Sequence, residues 1–153
     1  MDKMEFRLLV ADDDEDDLEL FNEALADLDS STLLVTVRNG IQLMEHLSER
    51  PSGDLPDILF LDLNMPLKDG LECLSEIRSM DGLRDLPIVI FSTSLDMDMA
   101  DILYKKGAHF YIQKPNEFAA LKKVIDNSLT YISEGNFEQP TRDLFVLQNQ
   151  LLR

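Results

Sequence analysis

The sequence has no tryptophan and only one cysteine, Cys73, in 153 residues. A single thiol cannot close an internal disulfide, so the fold has to rest on its core, and a reducing cytoplasm is the expected setting. The first residues, MDKMEFRLLVADDD, have neither a basic segment nor a hydrophobic stretch of signal-peptide length. Long apolar runs are missing as well. Ile58–Leu61 and Ile88–Phe91 are strand-sized, far short of the roughly 20 residues that span a bilayer, so no membrane anchor is expected. Positive charge is scarce: 14 Lys and Arg stand against 30 Asp and Glu, a formal net charge of −16. Binding to a phosphate backbone depends on Lys and Arg displacing counterions, so nucleic acid is excluded as an expected partner.

What remains, at 44% hydrophobic, is enough to bury the core of one ordinary domain. Apolar runs at Arg7–Ala11, Leu33–Val37, Ile58–Leu61 and Ile88–Phe91, with a weaker one at His109–Ile112, read as strands. Their hydrophobicity is continuous rather than alternating, which suits strands covered on both faces of a parallel sheet. Between them, apolar residues recur three or four apart: Leu18, Phe21, Leu25 and Leu28; Ile41, Met44 and Leu47; Leu71, Leu74 and Ile77; Met99, Ile102 and Leu103; Phe118, Leu121, Val124, Ile125 and Leu129. Each set is one helical stripe that can cover a sheet face. Breakers at Pro51–Pro56, Met80–Pro87 and Lys105–Gly107 separate the segments. Five alternations of strand and helix predict an α/β, doubly wound (βα)5 parallel sheet of five strands with helices on both faces. Its ligand site lies beyond the carboxyl ends of the strands. The domain is expected over residues 1–132, followed by an extension, 133–153, of loop and short helix carrying Leu144, Leu147 and Leu151. That extension is too small for an output domain.

Seven of the eight residues from Asp12 to Glu19 are acidic. Acids at a helix N-terminus are favoured by the macrodipole, and this accounts for Asp16, Asp17 and Glu19. Asp12 and Asp13 need another reason, because they stand where the first strand opens onto the ligand edge. Asp62 ends the third strand at the same edge. Crowded carboxylates raise one another's pKa unless a cation neutralises them, and hard oxygen ligands suit Mg²⁺. Ser92 and Thr93 end the fourth strand, and Lys114 and Pro115 follow the fifth. A nucleophile, a metal, an ammonium and a hydroxyl are the parts that phosphoryl transfer requires, since its catalysis is mostly positioning and charge neutralisation.

With these residues in place, the sequence from Phe6 to about Ile132 resembles the receiver domain of bacterial two-component response regulators, a flavodoxin-like fold. The matching segments are LLVADDD, LFLDLNMPLKDG, VIFSTS and YIQKP. The resemblance implies a stand-alone phosphorylation switch with Asp62 as phosphoacceptor, not an enzyme acting on other substrates. It further implies Asp13 and Asp62 as direct Mg²⁺ ligands, Asp12 acting through water, and the backbone carbonyl of Asn64 as another ligand. Lys114 would bind phosphoryl oxygens, Ser92 would be the switch hydroxyl, and Tyr111 the aromatic that responds to it. The implied partners are a sensor histidine kinase or histidine phosphotransfer protein and a downstream protein target, a second copy of the chain being one candidate.

Pro66 and Gly70 are read as shaping a sharp loop, Gly70 through backbone angles open to glycine. A cis bond before Pro115 is expected to aim Lys114. Thr93 stands where many receivers have Ala, and Asn64 and Ser94 occupy positions that tune dephosphorylation in the family. Two other classes compete with this reading. A Mg²⁺-dependent aspartyl-phosphate phosphohydrolase would carry a D-x-D motif, whereas Asp62-Leu63-Asn64 lacks the second carboxylate. A pseudo-receiver serving only as an interaction module would have no use for Asp13, Asp62, Ser92 and Lys114 together.

Overall fold

The computed structural model describes residues 6–28, 32–49, 55–135 and 138–147. Part of the breaker at Pro51 and the Leu151 of the tail's apolar series lie outside these residues. Strands β1 (Phe6–Ala11), β2 (Thr32–Val37), β3 (Ile58–Leu61), β4 (Ile88–Ser92) and β5 (Phe110–Gln113) alternate with helices α1 (Glu15–Asp27), α2 (Gly40–Ser48), α3 (Gly70–Arg78), α4 (Met97–Lys105) and α5 (Phe118–Ser133). The chain then forms a short α6 (Arg142–Phe145) and β6 (Val146–Leu147). All strand pairs are parallel, in the order β2-β1-β3-β4-β5-β6.

Six strands replace the expected five. The extra one comes from the tail: Val146 and Leu147 pair with Tyr111 and Ile112 of β5. An uncovered edge leaves backbone donors and acceptors open, and β6 satisfies part of that edge of β5. The doubly wound architecture is unchanged.

The two faces of the pleated strands bury different sets. Leu8, Val10, Ile58, Phe60, Val89 and Phe91 pack with α1 and α5, through Phe21, Leu25, Val124 and Ile125. Leu9, Ala11, Leu59, Leu61, Ile88 and Ile90 face α2, α3 and α4, through Leu43, Leu47, Leu74, Ile77 and Leu103. The central strands β3 and β4 are buried along their whole length, as their continuous apolar runs require. At the edge, β2 is only partly covered, and Leu33 is exposed.

The starts of α1 to α4 are fixed by acids and an amide, whereas α5 and α6 have no side-chain cap. Asp14 caps α1, accepting from the Asp16 and Asp17 N–H groups, and Asp96 caps α4 in the same way. Asn39 caps α2, and Asp69 with Glu72 forms a capping box at α3. Each cap satisfies donors that a helix leaves open, typically worth about 1 kcal/mol. Register and caps together hold the carboxyl ends of β1, β3 and β4 at one level.

Candidate functional site at the carboxyl end of the sheet

Ala11 lies opposite Leu61, and Leu61 opposite Ile90. The next residues along the first two strands, Asp12 and Asp62, are therefore neighbours, tied by the Asp62 N–H donating to the Ala11 carbonyl at 3.0 Å. Both side chains are buried, whereas Asp13 is exposed at the mouth of the site. Oxygen atoms of Asp12, Asp13 and Asp62 all come within 4.8 Å of one another. An all-oxygen donor set, two members buried and one open to solvent, fits a hard divalent cation that keeps part of its water.

Lys114 enters from the end of β5. Its backbone N–H donates to the Ser92 carbonyl at 2.7 Å, which fixes the start of its side chain beside β4. The ammonium donates to Asp12 Oδ2 at 2.7 Å and to Asp17 Oδ2 at 2.8 Å, and lies 3.7 Å from Asp62 Oδ2. Its side chain is 9% exposed. Burial works against its charge, but the hydrogen bonds to Asp12 and Asp17 and the charges of Asp12 and Asp62 outweigh burial and hold its pKa above the ordinary lysine value. Asp62 goes the other way for a carboxyl group: burial first, then the charge of Asp12, pushes its pKa up to about 7, against the opposing pull of Lys114. Three carboxylates thus share the one ammonium of Lys114.

Asn64 follows in the loop and donates its N–H to Asp62 Oδ1 at a long 3.5 Å. Ser92 is fully buried at the end of β4, and its Oγ accepts from the Ser94 N–H at 3.4 Å. Tyr111 is fully buried too. Its hydroxyl donates to the Ser94 carbonyl and accepts from the Asp96 N–H, both at 3.2 Å, so it ties β5 to the loop that leads into α4. Asp12, Asp13, Asp62 and Lys114 therefore meet in one cluster, with Asn64 and Ser92 at its rim and Tyr111 beneath the neighbouring loop.

Three expectations need correction. Among the described residues no peptide bond is cis, including the one before Pro115. Nothing opposes the small trans preference of an X-Pro bond here, about 0.5–1 kcal/mol, because the Ser92 carbonyl and the two carboxylates already aim Lys114. Gly70 is needed for space rather than for its angles: a Cβ there would lie 2.3 Å from the Asp62 carbonyl oxygen. The left-handed residue of that loop is Leu67, with φ of 72°. Asp17, assigned above to the helix dipole, instead bonds Lys114 from the first turn of α1. Its spacing gives no signal for this, because Asp13 precedes the Asp14 cap and shares no helix face with Asp17.

The profile of the response regulator receiver domain matches residues 8–126. Response regulator Rcp1 of Synechocystis sp. is 29% identical over 121 residues, covering 77% of this chain and 82% of that protein. The crystal structure of the phosphorylated cyanobacterial phytochrome response regulator RcpA superposes with a TM-score of 0.77 at 31% identity, covering 85% of this chain and 95% of the other. The Mn²⁺-bound form of Rcp1 gives 0.73 at 26%, with coverages of 89% and 99%. Among the described residues, no helix is long and apolar enough to cross a membrane. The carboxylate cluster, the doubly wound sheet and these matches agree: the chain belongs to the response regulator receiver domains of two-component signalling.

Proposed function

We propose that this domain accepts a phosphoryl group on Asp62 from a sensor histidine kinase or histidine phosphotransfer protein, in a Mg²⁺-dependent reaction, and so switches a protein-binding face. The observation that carries this reading is the arrangement around Asp62, a buried carboxyl group flanked by two further carboxylates and a single ammonium 3.7 Å away. Asp12, Asp13, Asp62 and the Asn64 carbonyl would hold the cation, which supplies neutralising charge. The relative solved with Mn²⁺ bound supports a divalent ion in such a site. Burial and the charge of Asp12 push the Asp62 pKa up, and added positive charge favours the nucleophilic carboxylate.

An Asp62 oxygen attacks phosphorus as the bond from phosphorus to the donor's imidazole nitrogen breaks, its electron pair staying on that nitrogen. Lys114 donates to an equatorial phosphoryl oxygen, and Ser92 donates its hydroxyl to another. Ser92 then gives up its contact with the Ser94 N–H, and Tyr111, bonded to Ser94 and Asp96, passes the change to the β4–α4 loop. The output is binding of a downstream protein at the α4–β5 face, part of which α6 and β6 of the same chain cover. Asn64 in place of a second acid argues against a phosphohydrolase.

Mass spectrometry after incubation with acetyl phosphate and Mg²⁺ tests the reading. One added phosphoryl group, absent with EDTA and absent from Asp62→Asn, is the expected result. No gain in the wild type, or an undiminished gain in Asp62→Asn, overturns it.

A further inference from the structure

An ammonium has three donors, and Lys114 gives two of them to Asp12 and Asp17 at hydrogen-bond distance. Asp62, the carboxyl group it has to serve, is about an ångström farther off, at 3.7 Å. The two close carboxylates thus draw the ammonium toward β1 and α1 and away from β3. They are not equivalent. Asp12 belongs with Asp13 and Asp62 to the oxygen cluster suited to a cation, whereas Asp17 is outside that cluster and bonds Lys114. Asp17 is also held firmly: it is in the first turn of α1, and its N–H is taken up by the Asp14 cap.

Resting on the reading of Asp62 as phosphoacceptor, we propose that Asp17 is a positioning residue that holds Lys114 back from Asp62 in the unphosphorylated domain and competes with the phosphoryl oxygens for its ammonium. A phosphoryl group brings up to about two negative charges. To bond them, Lys114 has to leave Asp17 or share itself with it. The domain therefore carries its own restraint on the charged state. The restraint is supplied by α1 rather than by the acceptor loop, and removing it strengthens the hold on the phosphoryl group.

The test compares wild type, Asp17→Asn, Lys114→Met and the double variant in calorimetric binding of Mg²⁺ and of beryllofluoride, a phosphoryl mimic, at saturating Mg²⁺. Asp17→Asn keeps the shape and removes the charge. It is expected to bind beryllofluoride about fivefold tighter, the upper range for one partly exposed carboxylate pair. It should bind Mg²⁺ no tighter than wild type does, because a negative charge has left the neighbourhood of the cation. Opposite signs for anion and cation distinguish this role from a structural one, since a damaged site loses both. In Lys114→Met the Asp17→Asn change should shift beryllofluoride binding by less than about twofold. Unchanged or weakened beryllofluoride binding in Asp17→Asn, or an equal gain without Lys114, overturns the proposal while leaving Asp62 as acceptor. A wild type that binds no beryllofluoride in Mg²⁺ overturns the phosphoacceptor reading, and this proposal with it.

Discussion

The two ends of the sheet each bury a cation, and they treat it in opposite ways. At the carboxyl end, Lys114 meets Asp12, Asp17 and Asp62. Near the amino ends of β4 and β5, Arg78 from the last turn of α3 meets only carbonyls. Its Nε and Nη2 donate to Gly107 at 3.2 and 2.8 Å, Nη1 to Leu83 at 3.0 Å, and Nη2 also to Leu86 at 2.7 Å. Burial pulls its pKa down to about 10, with Asp85 opposing. Gly107, at φ of 100°, allows this approach, because a Cβ there would sit 2.9 Å from Arg78 Nε. Carbonyl dipoles fill the Arg78 donors but leave its charge unneutralised, and burial lowers its pKa for that reason. At the carboxyl end, by contrast, Asp12, Asp13, Asp17 and Asp62 gather around the one ammonium of Lys114.

If this contrast is right, substitutions at the amino end cost stability and spare phosphorylation, and substitutions at the carboxyl end do the reverse. Arg78→Met makes the largest difference. It leaves the Leu83, Leu86 and Gly107 carbonyls without their donor, and a loss of about 4 kcal/mol is expected from unmet polar groups at roughly 1–3 kcal/mol each, partly rescued by water. Urea denaturation measures it. A loss below about 1 kcal/mol would show that Arg78 is dispensable and the contrast false.

Asp62→Asn is next, with the opposite sign. Its pKa is about 7 in the folded metal-free domain and about 3.9 in an unfolded chain. The fold thus favours the protonated form, and the stability this contributes is complete below about pH 4 and is lost as pH rises through 7. At pH 8 in EDTA, replacing Asp62 by a neutral amide should recover roughly 4 kcal/mol, on a scale of about 1.4 kcal/mol per pKa unit. The decline in stability between pH 4 and 8 should flatten in the variant. Parallel curves for variant and wild type would mean that Asp62 is not the strained group.

Most of the carboxyl end was legible in the sequence, because acids, a hydroxyl and a lysine placed directly after apolar runs stand out against them. Asp12, Asp62, Ser92 and Lys114 stood out once the apolar runs had set the strand ends. Those runs were readable because β3 and β4 are covered on both faces. What escaped depended on contacts between distant parts of the chain. Asp17 is a surface acid of α1 by pattern, and only its meeting with Lys114, 97 residues away, gives it another role. Strand β6 is two residues long, too short for any period, and exists because β5 had an edge to fill. Similarly, Arg78 reads as a helix-end cation, and its carbonyl partners come from loops that no periodicity describes.

The tail sharpens the contrast, because it fastens to the amino end and the β5 edge without touching the acidic cluster. Gln139 donates to the Ala108 and Tyr104 carbonyls, and Tyr104 donates its hydroxyl to the Pro140 carbonyl. Phe145 is fully buried, with its ring 5.1 Å from that of Tyr104 and 6.4 Å from that of Tyr111. Phe145→Ala is expected to cost about 2 kcal/mol, less than a central Phe60→Ala at roughly 3–5 kcal/mol, because a two-residue strand can undock instead of holding a cavity open. Equal losses in the two variants would make the tail as integral to the core as β3.

The smallest effect separates apolar from ionic fastening of the tail. Arg142 donates from Nε and Nη2 to Asp101 Oδ1 at 2.9 and 2.7 Å, and its guanidinium lies 5.8 Å from the Phe145 ring centroid. The geometry is good, but the Asp101 side chain is 61% exposed. Water solvates the separated charges almost as well, and both long side chains lose rotamers on pairing, so the pair contributes roughly 0.5 kcal/mol. Arg142→Ala should therefore lower stability by well under 1 kcal/mol. In 1 M salt, where the Debye length is about 3 Å, most of the difference should vanish. A loss near that of Phe145→Ala that persisted in high salt would mean that the cation over the Phe145 ring, and not the ion pair, fastens the tail. In that case the β5 edge would depend on a partly exposed cation, as the carboxyl end depends on the more deeply buried Lys114.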